Sequence, residues 1–266
     1  MNWKHKVNLD WLKARQGFLT ASEVAKLVPF TKSGQARKIT DDTRMGIMAK
    51  KWATVTEDDC WSRGAAARGH LLEPYAIAAY NEMAEKIEDE LPVLHHWDDS
   101  VVYESAGVGN LAFSPDALDI PFSPTFTPRV SLAELEVQPK ALGEIKCYDD
   151  DKHIITAYSD KMSLEERWQI ATAMAVCPTI EDAYLILFNP RMKFRKLYVI
   201  RYGRDELLKE IDIIRKVEED WMEFLGKEER MSVKAWSTTP DQFVYTGGGN
   251  EEDIIADIQR RQHINP

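Results

Sequence analysis

Glu144 and Lys146 stand two residues apart in GEIKC (143–147). In an extended strand, residues i and i+2 project from the same face. A carboxylate and an ammonium are thus set side by side, while Ile145 points into the opposite layer. Upstream, SPDALDI (114–120) offers Asp116, 28 residues before Glu144. Two carboxylates and a lysine in this D…ExK pattern suit metal-assisted phosphodiester hydrolysis. Mg²⁺ is a hard cation that takes carboxylate and water oxygens and keeps several positions open. It acidifies a bound water and polarises a phosphoryl oxygen. Lysine is a compact cation that orients the attacking water or meets developing charge. The pattern also admits a plainer account. The chain has 44 acids, so chance matches are common, and a surface ion pair on a strand edge would contribute at most about 1 kcal/mol.

Several elements must position these groups. LTASEVAKLV (19–28) reads as a capped helix, with Thr20 or Ser22 as N-cap and Glu23 three past Thr20 as in a capping box. TRMGIMAKKWA (43–53) has helical spacing. RGHLLEPYAIAAYNEMAEK (68–86) is a stronger helix carrying Glu73, and Pro74 makes it begin near Glu73 or kink there. SVVYE (100–104) and LAFSPDALDI (111–120) read as strands, and PFSPTFTPRVS (121–131), with three prolines, as a loop. SLAELEV (131–137) alternates like a half-exposed strand, and GEIKC is the next strand. SLEERWQIATAMAV (163–176) is a helix carrying Gln169. AYLILF (183–188) and KLYVIRY (196–202) are strands joined by NPRMKFR, and DELLKEIDIIRKVEEDWMEFL (205–225) is a long amphipathic helix. This order predicts one α/β domain over residues 1–229, with a mixed central β-sheet flanked by helices and an inserted loop at 121–142. Residues 230–266 form a polar extension.

The bulk numbers narrow the classes. At 266 residues the chain is long enough for one substantial core. No window of eighteen apolar residues exists, and MNWKHKVNLDWLKARQG has no apolar h-region, so neither a membrane span nor a signal peptide is expected. Cys60, Cys147 and Cys177 are odd in number and widely spaced, which suits a reducing, cytoplasmic setting better than a zinc site. The net charge of −10 argues at first against a nucleic-acid partner, yet residues 188–204 carry six Lys or Arg and no acid. A basic groove can hide in an acidic sum.

Six separated stretches then carry a resemblance: WLKARQGFLTASEV (11–24), RGHLLEPYA (68–76), FSPDALDI (113–120), GEIKC, WQIATAM (168–174) and FNPRMK (188–193). In this order, from residue 11 to about 225, the chain resembles lambda-exonuclease-like members of the YqaJ viral recombinase family, in the PD-(D/E)xK nuclease superfamily. The resemblance implies a restriction-endonuclease-like core. It implies Asp116 and Glu144 as metal ligands, with the main-chain carbonyl of Ile145 as a third, and Lys146 as the catalytic lysine. Glu73 becomes the helix carboxylate beside the metals, and Gln169 the residue that holds the lysine or the attacking water. Arg15, Ser22, Lys32 and Ser114 match the grip on a terminal 5′-phosphate. The implied activity is Mg²⁺-dependent 5′→3′ exonuclease action on linear double-stranded DNA, with Mn²⁺ as a substitute ion. It releases mononucleotides and leaves a 3′-ended single strand. A ring-shaped homotrimer, a partner single-strand annealing protein and a phage or prophage origin in a bacterial cytoplasm are implied as well.

Each carried-over residue has a simpler role beside the functional one. Arg15 covers apolar surface with its stem, Ser22 caps a helix, Ser114 makes a turn before Pro115, and Glu73 is a first-turn helix acid. The chain also departs from the family. Ala117 follows the motif Asp where glycine is common, which is costly if that position needs positive φ. The Asp116–Glu144 connection is long, and its Glu134 and Glu136 have no lysine two residues on. Two other readings stay open: a restriction-like endonuclease or non-processive repair nuclease of the same fold, and a non-catalytic DNA-binding protein that keeps the fold. An iron–sulfur relative would need four cysteine ligands, and three scattered ones exist.

Overall fold

The computed structural model describes residues 3–31, 34–87, 91–97, 100–104, 110–122 and 128–238. In chain order the elements are β1 Lys4–Lys6, α1 Leu9–Gln16, β2 Leu19–Thr20, α2 Ala21–Leu27, α3 Asp41–Trp52, β3 Trp61–Arg63 and α4 Gly64–Ala84. There follow β4 His95–His96, β5 Val101–Tyr103, β6 Leu111–Phe113, β7 Ala117–Leu118, β8 Arg129–Ser131, β9 Ala141–Lys146, α5 Asp150–Ser159, α6 Leu164–Val176, β10 Asp182–Phe188, β11 Leu197–Gly203 and α7 Leu208–Thr238. Two compact units divide the chain at Met222, and the first holds every described strand. The described part of the second is the end of α7, where Lys227 pairs with Glu223 at 2.6 Å. No helix among the described residues is long and apolar enough to cross a membrane.

Among the described residues the central sheet runs β11-β10-β9-β7-β4. It is mixed: β9 is parallel to β10, while β10–β11, β7–β9 and β4–β7 are antiparallel. β10 is buried along nearly its whole length, as a strand covered on both faces must be. A second sheet runs β2-β6-β5-β8, and β1 with β3 makes a two-stranded ribbon. The core over one face of the central sheet joins Tyr80 of α4 to Leu94, Ala117, Ile145, Tyr184 and Ile186. Ile145 is 5% exposed; burying a side chain of that size contributes about 1.5–3 kcal/mol. The same burial fixes the strand's register, because a one-residue slip would turn Glu144 and Lys146 into the core.

Gly143 explains the departure at Ala117. The two sit opposite each other across β7 and β9. A Cβ on Gly143 would lie 3.0 Å from Leu94 Cδ1 and 3.1 Å from the Ala117 Cβ. Ala117 has extended strand backbone and no positive φ. Its methyl occupies space that the facing glycine leaves free, so alanine is tolerated.

Three local expectations change. SLAELEV is not a strand: β8 ends at Ser131, and Leu132–Glu134 is a 3-10 turn. Ser131 Oγ accepts from the Ala133 N–H, and Glu134 Oε2 accepts from the Ser131 N–H. The S-x-x-E cap overrides the alternation. LAFSPDALDI splits into β6 and β7 at Ser114–Pro115–Asp116. α4 starts at Gly64 and passes through Pro74, so Glu73 lies mid-helix and not in a first turn. α1 and α5 are additional helices, capped by Asn8 and Asp149.

Candidate active site

β9 sets out the first pair. Glu144 and Lys146 share a face, and Lys146 Nζ donates to Glu144 Oε1. Asp116 comes from the bend between β6 and β7, and its Oδ2 accepts the Ile145 N–H at 2.7 Å. This bond locks the motif aspartate onto the ExK strand at the residue between Glu144 and Lys146. Asp116, Ile145, Lys146 and Glu73 line one cleft of about 630 Å³.

The electrostatics of the cleft are dominated by crowded carboxylates. Burial raises the Asp116 carboxyl well above the usual range, and the charges of Glu144 and Glu73 push it further. For Lys146, burial pulls the ammonium down, but Glu144 and Asp116 more than reverse this, leaving it raised. In the metal-free cleft the ammonium form of Lys146 is therefore favoured.

Glu73 is set by two histidines that sequence reasoning missed. Its carboxylate lies 3.5 Å from His70 Nδ1 and 3.8 Å from His96 Nε2. Burial raises the Glu73 carboxyl, yet hydrogen bonds and charge from His70 and His96 outweigh it and hold it at about 2. His70 is three residues before Glu73 on the same helix face, a spacing visible in the sequence. His96 arrives from β4, which no local pattern announces.

α6 closes the site from the side of Lys146. Glu166, buried at 3% exposure, is raised first by burial and felt electrostatically by Lys146 and Glu144. Gln169 lies one turn further on, and its Oε1 is buried without a hydrogen-bond partner. An orphaned buried acceptor is uncommon and calls for an explanation. A water or a lysine ammonium brought to it on substrate binding would provide one.

A second cluster gathers three of the four residues assigned to phosphate. Arg15 Nη2 donates to Ser22 Oγ at 3.3 Å, and its guanidinium lies 4.5 Å over the Trp11 ring. Trp11 Nε1 in turn donates to Ser114 Oγ at 3.1 Å and to the Ser100 carbonyl. Ser22 is inside α2, whose N-cap is Thr20, so it is not the cap. Lys32 lies outside the described residues. Lys51 joins the cluster without any motif to announce it: it donates to Glu23 at 2.6 Å and to the Arg15 carbonyl, and burial lowers its ammonium. Ser114 is two residues from Asp116, so at most ~3.6 Å per residue separates the two clusters along the chain.

The basic run 188–204 does not form one face. Arg204 donates to the carbonyls of Met174, Cys177 and Ile180, closing the end of α6. Arg201 makes a two-pronged pair with Asp182 at 3.0 Å. Arg191 lines the cleft of Asp116 and Lys146.

Among the described residues, no group of three or more His, Cys, Asp or Glu side chains is arranged to hold a metal ion. The ligand set that the resemblance implies needs only two carboxylates and a main-chain carbonyl. Its chemistry fits a hard divalent cation, because the Asp116 carboxyl, raised by burial and by the charge of Glu144, is relieved by a positive charge beside it.

The YqaJ-like viral recombinase domain matches residues 10–179. Among solved structures, the alkaline exonuclease LHK-Exo from Laribacter hongkongensis superposes with a TM-score of 0.60 at 21% identity, over 86% of this chain and 100% of that one. The same enzyme in complex with dAMP gives 0.59 at 20% identity, with the same coverage. No curated protein sequence matches. The chain belongs to the YqaJ-like viral recombinase domain family and shares the fold of the alkaline exonuclease from Laribacter hongkongensis.

Proposed function

We propose that this chain is a divalent-metal-dependent exonuclease that degrades one strand of linear double-stranded DNA from its 5′ end. The observation that carries the reading is a juxtaposition. Asp116, Lys146 and Glu73 meet in one cleft beside Glu144, and Ser114, two residues from Asp116, is joined through Trp11 to Arg15 and Ser22. On this reading the first group is the hydrolytic centre and the second an anion grip, at neighbouring points of the same bend.

Asp116, Glu144 and the Ile145 carbonyl would hold the metal, with Mg²⁺ the proposed ion and Mn²⁺ a substitute. When bound there, it supplies Lewis-acid polarisation of the phosphodiester and an acidified water. The chain's own groups do the rest. Lys146 donates to the charge that develops on the transferring phosphate. Glu73, kept ionised by His70 and His96, orients a water through its free lone pairs. Gln169 supplies an unsatisfied acceptor for that water or for Lys146. Arg15, with Ser22 and Ser114, meets the doubly exposed oxygens of a terminal phosphate. The nucleotide attached to that phosphate then places its next phosphodiester at the cleft. The Laribacter relative is known bound to dAMP, a mononucleotide of the kind such a reaction would release.

A ring-shaped trimer around the duplex would reconcile the net charge of −10 with DNA binding, since only its channel need be basic. The remaining 3′-ended strand would pass to a single-strand annealing protein. The test is a matched pair of substrates. Linear duplex should be degraded, and covalently closed circular duplex of the same sequence should survive. Cutting of the circle would favour the endonuclease reading. An inert wild type with every divalent ion would favour a DNA-binding protein.

A further inference from the structure

Beside the cleft, α5 and the tip of the β10–β11 hairpin enclose a hollow of about 580 Å³, lined by Ile154, Tyr158, Arg191, Met192, Lys193 and Phe194 among others. Two of its rings stand in solvent, Tyr158 at 86% and Phe194 at 81% exposure. With Ile154 and Met192 they form one exposed apolar patch, the kind of surface that marks a binding site. The backbone beside Phe194 is held in place. Arg195, next to Phe194, has a left-handed backbone, φ 52°, which a non-glycine residue keeps only when its surroundings hold it. His153 Nε2 donates to the Arg195 carbonyl at 2.7 Å, and Arg195 Nη1 donates to the Ala157 carbonyl at 3.3 Å. At the base of the tip, Asn189 is fully buried: its N–H bonds the Lys196 carbonyl, and its side chain bonds Asp150, Arg68 and the Arg191 N–H.

The cations are interleaved with the rings. Lys193 has no ion-pair partner among the described residues. Arg191 pairs with Asp150 at 3.1 Å and is 73% exposed, so a phosphate can compete for it. Arg191 also lines the cleft of Asp116 and Lys146, so the two hollows share a wall.

We propose that this surface is a platform for single-stranded DNA, where bases stack on Tyr158 and Phe194 and phosphates meet Lys193 and Arg191. The inference deepens the exonuclease reading and rests on it, since removal of one strand leaves the other unpaired beside the cleft. Charge favours a nucleic acid over a protein partner: stacking rings alternating with cations suit a polyanion of any base sequence.

The test uses the full-length protein in EDTA, so that nothing is cut, with fluorescence anisotropy of a labelled oligo(dT). Wild type should bind. Tyr158→Ala with Phe194→Ala should bind at least about tenfold more weakly, while Tyr158→Trp with Phe194→Trp should bind as wild type does. An oligomer with abasic sites in place of thymidine should bind wild type as weakly as oligo(dT) binds the alanine pair. Equal affinity of wild type and the alanine pair, or no binding by wild type, overturns the platform. So does a changed oligomeric state of the alanine pair in sedimentation, which would make the patch an interface between copies. Hydrolysis of a short blunt duplex with Mg²⁺ is measured in parallel. An unchanged initial rate in the alanine pair shows that it is folded. No hydrolysis by wild type defeats the exonuclease reading, while the binding comparison still decides the platform.

Discussion

The cleft at Asp116 and the network at Trp11 meet at Ser114–Pro115–Asp116, yet they are built on opposite terms. In the cleft, burial and the neighbouring charges of Glu144 and Glu73 drive the Asp116 carboxyl upward, and Lys146 is the cation that answers them. In the network, donors meet acceptors: Arg15 donates to Ser22 and stacks on Trp11, and Trp11 donates to both Ser114 and Ser100. The first region crowds negative charge around a single lysine. The second is a frame already satisfied by its own residues, which holds one guanidinium in place. Substitutions in the two regions should therefore fail differently, one in chemistry and the other in choice of substrate.

The largest effect is expected in the cleft. Asp116→Ala or Glu144→Ala should abolish hydrolysis of every DNA end while leaving the circular-dichroism spectrum unchanged. Retained activity in either variant would remove the proposed site. Lys146→Ala should cost at least about 10²-fold in turnover, the loss of one donor aimed at developing charge. Its metal affinity, read by isothermal titration, should change little, because the lysine is not a ligand. Strongly weakened metal binding with normal turnover would reverse the roles.

Arg15→Ala breaks the other region. Hydrogen bonds between charged groups contribute about 1.5–3 kcal/mol, so roughly tenfold or more of the preference for 5′-phosphorylated over 5′-hydroxyl ends should go. The two rates should converge because the phosphorylated substrate slows, with the cleft's metal binding intact. Initial rates on linear duplexes that differ only in that phosphate decide it. If wild type has no preference, or the variant keeps it in full, Arg15 only covers Trp11.

The same contrast explains what could be read from the sequence. Strand alternation places Glu144 and Lys146 on one face and Ile145 on the other, since that depends on two adjacent bonds. The mixed α/β architecture follows from the order of periodic segments, and the family from six motifs in sequence. The contact from Ile145 to Asp116 depends on where the β6–β7 bend falls beside β9, and no local pattern reports it. His96 reaches Glu73 from β4, a strand of two residues, too short to carry a rhythm. α5 is hidden because its buried residues are His153, Thr156 and Ala157, which carry little apolar signal, and its start is the polar run Asp149–Asp151. SLAE misleads because alternation and a capping box share the same letters.

The basic run offers a finer division of structure from recognition. Arg201 is held in a fork with Asp182, and Arg204 ties three carbonyls together. Arg191 faces the cleft and is 73% exposed. Arg191→Gln should therefore lower the slope of log affinity against log salt by roughly 1, the signature of one phosphate contact. Arg201→Gln should leave that slope unchanged. Equal slopes for wild type and Arg191→Gln would return Arg191 to the solvated surface.

The smallest effect tests the cleft's charge crowding without any substrate. A carboxyl raised in the folded chain binds its proton more tightly there than when unfolded. Below the unfolded value both states are protonated, and no penalty exists. As pH climbs, the unfolded chain ionises first and gains, so the cost to folding builds and is complete above the raised folded value. Asp116→Asn removes that cost and keeps an oxygen to accept the Ile145 N–H. The metal-free variant should thus unfold at a higher temperature than wild type at neutral pH, by a few degrees (~2–4 °C per kcal/mol). The gap should close as pH falls to about 4 and below, where an unfolded aspartate is itself protonated. Thermal scans in EDTA from acid to neutral pH measure it. A variant less stable than wild type at neutral pH would show that the carboxylate's bond to Ile145 outweighs repulsion, and a gap that does not change with pH would show that ionisation of Asp116 is not its cause. The cleft would then be no more strained for charge than the Trp11 network beside it.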